Sequence, residues 1–160
     1  MEGISILDGK YAATMDMYPL QSKEFNMIYK FYDYLREGRF TTTKCKDCGT
    51  RSFPPRIICE ECLSENLDWV DLPTGGTVKV VTEEVRGVPI GFDDPLIHAL
   101  IDLDGELTYF ARVINCQAGE LKPGDRVKLA VFPIDPLPVD GRKGEIIKQE
   151  RVFFAFEKED

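Results

Sequence analysis

The sequence predicts a mainly β protein with one N-terminal helix, an α+β arrangement in which a four-cysteine metal ribbon precedes a small barrel. Three observations support this fold class. Apolar residues recur at helical spacing between residues 22 and 38. Four cysteines then form two C-x2-C pairs between residues 45 and 62. From residue 77 onward there are five short segments, four in which apolar and polar residues alternate and one apolar run at 96–103, which is typical of a five-stranded barrel of the OB type.

The predicted helix begins at Ser22, which can cap it, and ends at Gly38 after about 17 residues. Phe25, Tyr29 and Tyr32 lie on its apolar face. One interpretation is a helix that packs into the protein's own core. The alternative is a docking helix that a partner or a long ligand covers, since the metal module beside it is small and the tyrosines keep a hydroxyl group for polar contacts.

The four cysteines are the most specific signal in the chain. Cys45, Cys48, Cys59 and Cys62 are spaced so that two tight turns can surround one ion with a closed shell of four thiolates. An all-sulfur shell suits Zn²⁺ or iron, and Zn²⁺ is the simpler choice because it is redox-inert. The alternatives are two redox pairs or a disulfide framework, and a reducing cytoplasm argues against the second.

The fifth cysteine, Cys116, stands apart from this motif. Its simplest role is that of a small buried hydrophobic residue. A catalytic thiol would need a neighbouring base, and the surrounding sequence offers none. The chain also has a single histidine, His98. We therefore expect no catalytic residues and no enzymatic activity of the chain's own.

The barrel is predicted from five segments, 77–85, 96–103, 107–113, 127–131 and 152–156. Asp104-Gly105 indicates a hairpin between the second and third strands. Pro133, Pro136 and Pro138 predict a long loop before the last strand. The glycine-rich turn at 73–76 predicts a domain boundary, so that residues 1–44 form a helical arm, 45–72 the ribbon and 73–160 the barrel. Trp69 is expected to pack the ribbon onto the next unit.

The net charge of the chain limits the kinds of partner that it is expected to bind. The chain has a formal net charge of −8, and residues 73–160 contain 16 acidic and 11 basic side chains, so single-stranded nucleic acid is an unfavoured alternative partner. Five cations cluster near the ribbon and either balance thiolate charge or face a phosphorylated ligand; they are Arg39, Lys44, Lys46, Arg51 and Arg56. No apolar run is long enough to span a membrane and the N-terminus lacks a signal peptide, so a cytoplasmic protein is expected.

The order of these motifs resembles the zinc-ribbon plus OB-fold family known as domain of unknown function thirty-five. The segments that carry the resemblance are 29–40, 45–49, 53–56 (Phe-Pro-Pro-Arg), 59–62 and 121–127, together with Trp69. The match runs from about residue 22 to the C-terminus and implies a rubredoxin-like zinc ribbon. One departure is Leu63, which follows Cys62 where many family members have glycine.

The resemblance also implies a function. Members of that family resemble accessory subunits that bind thiolases, thiolase-like synthases or aldolases and handle acyl-CoA, and one bridges acetoacetyl-CoA thiolase and hydroxymethylglutaryl-CoA synthase in mevalonate synthesis. The expectation is a non-catalytic scaffold in a hetero-oligomer with such an enzyme. Candidate contacts to acyl-CoA or the partner are Tyr29, Tyr32, Arg51, Phe53, Arg56 and Arg112. A thioesterase-like enzyme is a third class, and no nucleophile–base pair supports it.

Overall fold

The computed structural model describes residues 18–88, 92, 95–140 and 146–159. Residues 1–17 of the predicted helical arm lie outside the described residues. The elements are α1 (Tyr29–Arg36), β1 (Thr41–Cys45), β2 (Arg51–Ser52), β3 (Leu67–Asp71), β4 (Gly75–Glu84), β5 (Leu96–Asp102), β6 (Thr108–Ile114), β7 (Arg126–Asp140) and β8 (Ile146–Lys158). At eight residues, α1 is too short to cross a membrane, and the described part of the chain contains no helix that could do so.

The strands form two sheets. The first is a three-stranded antiparallel sheet in the order β2-β1-β3, and it carries the four-cysteine ribbon. The second is a closed barrel in the order β4-β5-β6-β8-β7, in which β6 and β8 are parallel and the other pairs are antiparallel. This strand order is that of an OB fold. The predicted fold class, a ribbon followed by a five-stranded barrel, is confirmed.

The helix is shorter than the sequence predicts. The Ser22 carbonyl accepts hydrogen bonds from the amides of Phe25 (3.0 Å) and Asn26 (2.9 Å), but the chain leaves the helical path after this turn. The Asn26 side chain explains the interruption, because its amide donates to the Leu20 carbonyl (2.8 Å) and its oxygen accepts from the Ile28 amide (3.0 Å). Such local bonds compete with helix formation, so the prediction of a helix beginning at Ser22 is wrong.

The helix packs into the protein's own core, as the first of the two interpretations predicted. Phe31, Tyr32 and Leu35 are each at most 5% exposed. Phe40, just before β1, is fully buried, and its ring centroid lies 5.1 Å from those of Phe53 in the ribbon and Phe154 in β8. Helix, ribbon and barrel therefore share one hydrophobic core.

Further contacts join the ribbon to its neighbours. The Phe53 ring lies 4.7 Å from that of Tyr109 in β6, and an ion pair links Arg51 to Glu106 in the β5–β6 turn. Trp69 in β3 packs against Tyr34 of α1, with ring centroids 5.6 Å apart. These contacts hold the ribbon against both the helix and the barrel.

The pairing of β4 shows that the prediction of a glycine-rich turn at 73–76 is wrong for Gly75 and Gly76. Gly75 and Gly76 are already in this strand, opposite Lys128 and Val127 of β7. A Cβ atom on Gly76 would lie 2.6 Å from the carbonyl oxygen of Asp102 in β5, a distance shorter than van der Waals contact. The glycine is therefore required for the close approach of two strands where the barrel closes.

The predicted long loop before the last strand is also wrong. The proline-containing stretch continues β7 to Asp140, and its partners run along β8 as far as Ile146. The register shifts between Ile134 and Leu137, so the segment that contains Pro136 forms an irregularity in the ladder. Proline is tolerated at such positions, and the pairing with β8 outweighs its low strand propensity.

Candidate functional site

The two C-x2-C pairs form turns with the same hydrogen bonds. In the first, the Cys45 carbonyl accepts from the Gly49 amide (2.9 Å), and in the second the Cys59 carbonyl accepts from the Leu63 amide (3.1 Å). The amides of Cys45 and Cys59 donate in turn to the carbonyls five residues further on, at 2.8 and 2.9 Å. The two pairs therefore present their sulfurs from equivalent backbone turns.

The residue after the second cysteine of each pair has a left-handed backbone conformation. Gly49 has a φ of +80°, and Leu63 has a φ of +61°. Glycine adopts this conformation freely, whereas a leucine is strained there. The Leu63 side chain points outward and is 76% exposed. The second turn thus keeps the geometry of the first despite the leucine.

The four sulfurs are grouped as a metal shell requires. All four Sγ atoms lie within 4.8 Å of one another, with 3.6 Å between those of Cys45 and Cys62 and 3.5 Å between those of Cys48 and Cys59. A tetrahedral zinc site with Zn–S bonds of about 2.3 Å separates its sulfurs by about 3.8 Å. None of the four is in a disulfide. The predicted metal centre therefore has the sulfur arrangement of a closed four-thiolate shell.

The electrostatics of this cluster favour a bound cation. Hydrogen bonds between Cys48 and Thr50 lower the pKa of Cys48 to about 6. The amide of Ser64 lowers the pKa of Cys62, but the neighbouring sulfurs outweigh this effect and raise it to about 12. Four thiolates at this spacing repel one another, and a divalent cation removes that repulsion.

A hydrogen-bonded carboxylate links the two metal turns. Asp47, inside the first pair, accepts hydrogen bonds from the Ser64 hydroxyl and from the Asn66 amide (2.9 Å), both just beyond the second pair. These bonds lower the pKa of Asp47. The sequence does not reveal this link, because it joins residues distant in sequence whose polar character is ordinary for a surface.

The cations near the ribbon are largely paired with carboxylates. Arg39 binds Asp71 (2.9 Å), Lys46 binds Asp68 (2.9 Å), and Arg56 binds Glu60 (3.1 Å). Arg51 pairs with Glu106, as described above. These pairs favour charge balance over a phosphate-binding role for this cluster.

The structure does not bring the six candidate contact residues into one site. Tyr32 is 5% exposed and Phe53 is half-buried in the shared core, which leaves Tyr32 almost no surface for a ligand. Tyr29 is half-buried on α1. Arg51 and Arg56 belong to the ribbon, whereas Arg112 lies on the outward side of β6 in the barrel.

Next to Arg112, the structure pairs two rings whose contact the sequence did not predict. The His98 and Phe110 rings stack with centroids 5.2 Å apart and an angle of 12° between their planes. Burial lowers the pKa of His98, and Glu84 partly opposes this effect. The alternation in β6 could have placed Phe110 on the outer side with Arg112, but the partner on β5 depends on strand register.

The described residues contain no nucleophile paired with a histidine. Cys116 is 9% exposed, its thiol contacts the Gln117 carbonyl at 3.7 Å, and burial raises its pKa. His98 stacks on Phe110 and makes no hydrogen bond to a serine or cysteine among these residues. Cys116 is therefore a packing residue, as predicted from the sequence.

Comparison with known proteins identifies both halves of this arrangement. The family described as "ChsH2, rubredoxin-like zinc ribbon domain" matches residues 33–68, and "ChsH2, C-terminal OB-fold domain" matches residues 69–132. A DUF35 domain-containing scaffold protein of Methanocaldococcus jannaschii is 32% identical over 110 residues, which are 66% of this chain and 77% of that protein. One of Methanothermobacter thermautotrophicus is 28% identical over 104 residues, 63% of this chain and 77% of that protein.

A solved structure has the same fold. The structure described as "Ltp2-ChsH2(DUF35) aldolase" aligns with a TM-score of 0.62 and 17% sequence identity. The alignment covers 86% of this chain and 98% of that one.

Proposed function

The chain belongs to the DUF35 family, and we propose that it is a non-catalytic scaffold subunit that binds a thiolase-superfamily enzyme and handles its acyl-CoA. The observation that carries this proposal is an exposed apolar groove beside a closed four-cysteine centre. A four-thiolate shell leaves no open position for catalysis, so the metal, which we take to be Zn²⁺, has a structural role. The names of the two curated relatives, both scaffold proteins, support the same class of function.

The apolar groove is a shallow surface depression of about 330 Å³ between Asn26–Ile28, before α1, and Pro55–Ile58, between the metal turns, and its aliphatic side chains lie beside the polar Asn26 and Arg56. Met27 is 73% exposed, and Ile57 and Ile58 are 42% and 41% exposed. Large aliphatic side chains grouped at one surface point to a protein interface. This groove replaces the predicted docking face of α1, whose Tyr32 is buried.

The partner is proposed from the relatives. The solved structure with the same fold is described as an aldolase that contains ChsH2 and Ltp2, which supports an enzyme partner and a hetero-oligomer. Within this class we favour an enzyme that makes or breaks carbon–carbon bonds in acyl-CoA thioesters. A bridge between acetoacetyl-CoA thiolase and hydroxymethylglutaryl-CoA synthase is the most specific form of the proposal.

The test is co-purification from the native host with the tagged full-length chain, followed by mass spectrometry and an assay of the captured enzyme. We expect an enzyme of acyl-CoA condensation or cleavage, with activity that changes when the chain is added back. Met27→Asp and Ile57→Asp should abolish capture, because each places a charge in the groove. Val85→Asp is the matched control, since Val85 is 55% exposed and lies beyond β4. Capture unaffected by both groove variants would refute the docking surface.

A further inference from the structure

Side-chain hydrogen bonds join the two metal turns to each other. Asp47 lies inside the first cysteine pair, and its carboxylate accepts from the Ser64 hydroxyl and from the Asn66 side-chain amide (2.9 Å). Ser64 belongs to the second turn, because its carbonyl accepts from the Cys59 amide at 2.9 Å. The backbone bonds within each turn hold only that turn's own cysteines, whereas the bonds of Asp47 connect one turn to the other.

The partner of Asp47 also contacts a metal ligand. The Ser64 backbone amide forms a hydrogen bond to the sulfur of Cys62. The Ser64 hydroxyl in addition accepts from the Asn66 backbone amide at 3.0 Å, so its position is fixed from two sides. Groups that orient a metal ligand without binding the metal commonly determine how tightly the metal is held. Asp47 can therefore act on Cys62 through Ser64.

These bonds lie beside the two sulfurs that solvent can reach. Cys48 and Cys62 are exposed, one in each turn, whereas Cys45 and Cys59 are buried. Asp47 directly precedes Cys48, and Ser64 follows Cys62 by two residues. Water or a chelator reaches the metal from this side, and separation of the two turns here would detach an exposed thiolate first. The Asp47 bonds oppose that separation.

The second cysteine pair provides a natural comparison. Glu61 occupies the position in the second pair that Asp47 occupies in the first. Its side chain is exposed and forms no hydrogen bond or ion pair with any residue that the structure describes. The two carboxylates thus have the same charge and the same spacing from their cysteines. They differ in that only the carboxylate of Asp47 bonds to the opposite turn.

We propose that Asp47 is a positioning residue of the metal centre, which holds the two turns together through Ser64 and Asn66 and thereby slows release of the metal. This role goes beyond the scaffold function and does not depend on the identity of a partner. Loss of the Asp47 carboxylate leaves all four thiolates in place, so one metal ion should still bind per chain but should leave faster. Groups of this kind change metal affinity about 10–100-fold, and an exposed carboxylate, whose bonds water partly replaces, belongs at the lower end.

The experiment follows release of Zn²⁺ from the loaded 160-residue chain to a saturating excess of a chromogenic chelator at neutral pH. Asp47→Ala should release Zn²⁺ about tenfold faster than the unmodified chain. Ser64→Ala should also release it faster, and the double variant should be no faster than Asp47→Ala, because both substitutions remove the same link. The matched control Glu61→Ala should change the rate by less than about threefold.

A fourth variant, Asp47→Asn, separates the hydrogen bonds from the charge, because it removes the charge and keeps one acceptor oxygen. We expect a release rate between those of the unmodified chain and Asp47→Ala. If Asp47→Asn is as fast as Asp47→Ala and Ser64→Ala is unchanged, the charge controls release and the proposed role of the link is refuted.

Two further results would overturn the inference. One is an unchanged rate in Asp47→Ala, or an equal acceleration in Glu61→Ala. The other is general destabilisation, which far-ultraviolet circular dichroism of the loaded variants detects. A tenfold faster release corresponds to a decrease in Tm of at most about 6 °C for a chain of this length. A larger decrease in Asp47→Ala would assign the fast release to unfolding of the chain.

Discussion

Replacing Phe40 by alanine tests whether ribbon and barrel form one folding unit. Phe40 is 0% exposed and lies between α1 and β1. Its ring centroid is 5.1 Å from those of Phe53 and Phe154, 6.0 Å from Phe156 and 6.2 Å from Phe31. The side chain therefore touches the helix, the ribbon and the barrel at once, and its removal leaves a cavity bounded by all three.

The size of the effect follows from this environment. Phe→Ala substitutions in cores lower the free energy of unfolding by about 3–5 kcal/mol, and more where the site cannot collapse. Rings from three elements surround Phe40, so we expect a loss near the upper end, about 4–5 kcal/mol. For a chain of this length each kcal/mol lowers Tm by about 2–4 °C, which predicts a decrease of about 8–20 °C.

The assay is guanidinium unfolding of the zinc-loaded protein, followed by two signals. The fluorescence of Trp69, the one tryptophan of the chain, reports on the ribbon, and far-ultraviolet circular dichroism reports largely on the barrel. Because the core is shared, both transitions should shift together. The control is Phe25→Ala, at a ring that is 53% exposed, with a loss below about 0.5 kcal/mol. A Phe40→Ala loss below about 1 kcal/mol, or a shift of only one signal, would refute the shared core.

Three further substitutions and one treatment test the metal ribbon and the closure of the barrel. Leu63→Gly should raise the free energy of unfolding by about 0.5–1 kcal/mol in denaturant titrations, because it relieves a left-handed leucine, whereas Gly49→Ala at the equivalent position should lower it. Gly76→Ala should lower it by about 1–3 kcal/mol, since the new Cβ would lie 2.6 Å from the Asp102 carbonyl oxygen; an unchanged midpoint would contradict the close approach. Removal of the metal by a chelator should alter Trp69 fluorescence and lower the calorimetric Tm by more than about 10 °C, and re-addition of Zn²⁺ should restore both.

Local signals predicted the parts of the fold that depend on local chemistry. The cysteine spacing identified all four residues of the metal cluster, and Gly38, with a φ of +75°, ends α1 as expected. An apolar run likewise identified β5, and alternation identified β6, in which Ala111 and Val113 are buried. In each case the residue type determines the backbone geometry or the side-chain direction without help from distant segments.

The error in the helix has a local cause, and the other errors occur where distant residues decide the structure. Helical spacing continues through Ser22–Ile28, but the Asn26 side chain bonds to the backbone on both sides and breaks the helix. The prolines of β7 disfavour a strand, but pairing with β8 supplies the ladder. Gly75 and Gly76 suggested a turn because glycine's freedom is visible in a sequence, whereas the nearness of the Asp102 carbonyl is not. The stacked His98 and Phe110 required the register of β5 on β6.

Because one wall of the apolar groove lies between the metal turns, loss of the metal should change the shape of the groove. One wall of the groove, Pro55–Ile58, lies in the loop between Cys48 and Cys59, while the other precedes α1. The Thr43 hydroxyl fixes this loop by donating to the Arg56 carbonyl and accepting from the Arg56 amide, each at 3.0 Å, but Thr43 itself lies in β1, which ends at Cys45. Metal loss should therefore displace one wall of the groove and leave the outer side of the barrel in place. Partner capture should then fail in the stripped protein.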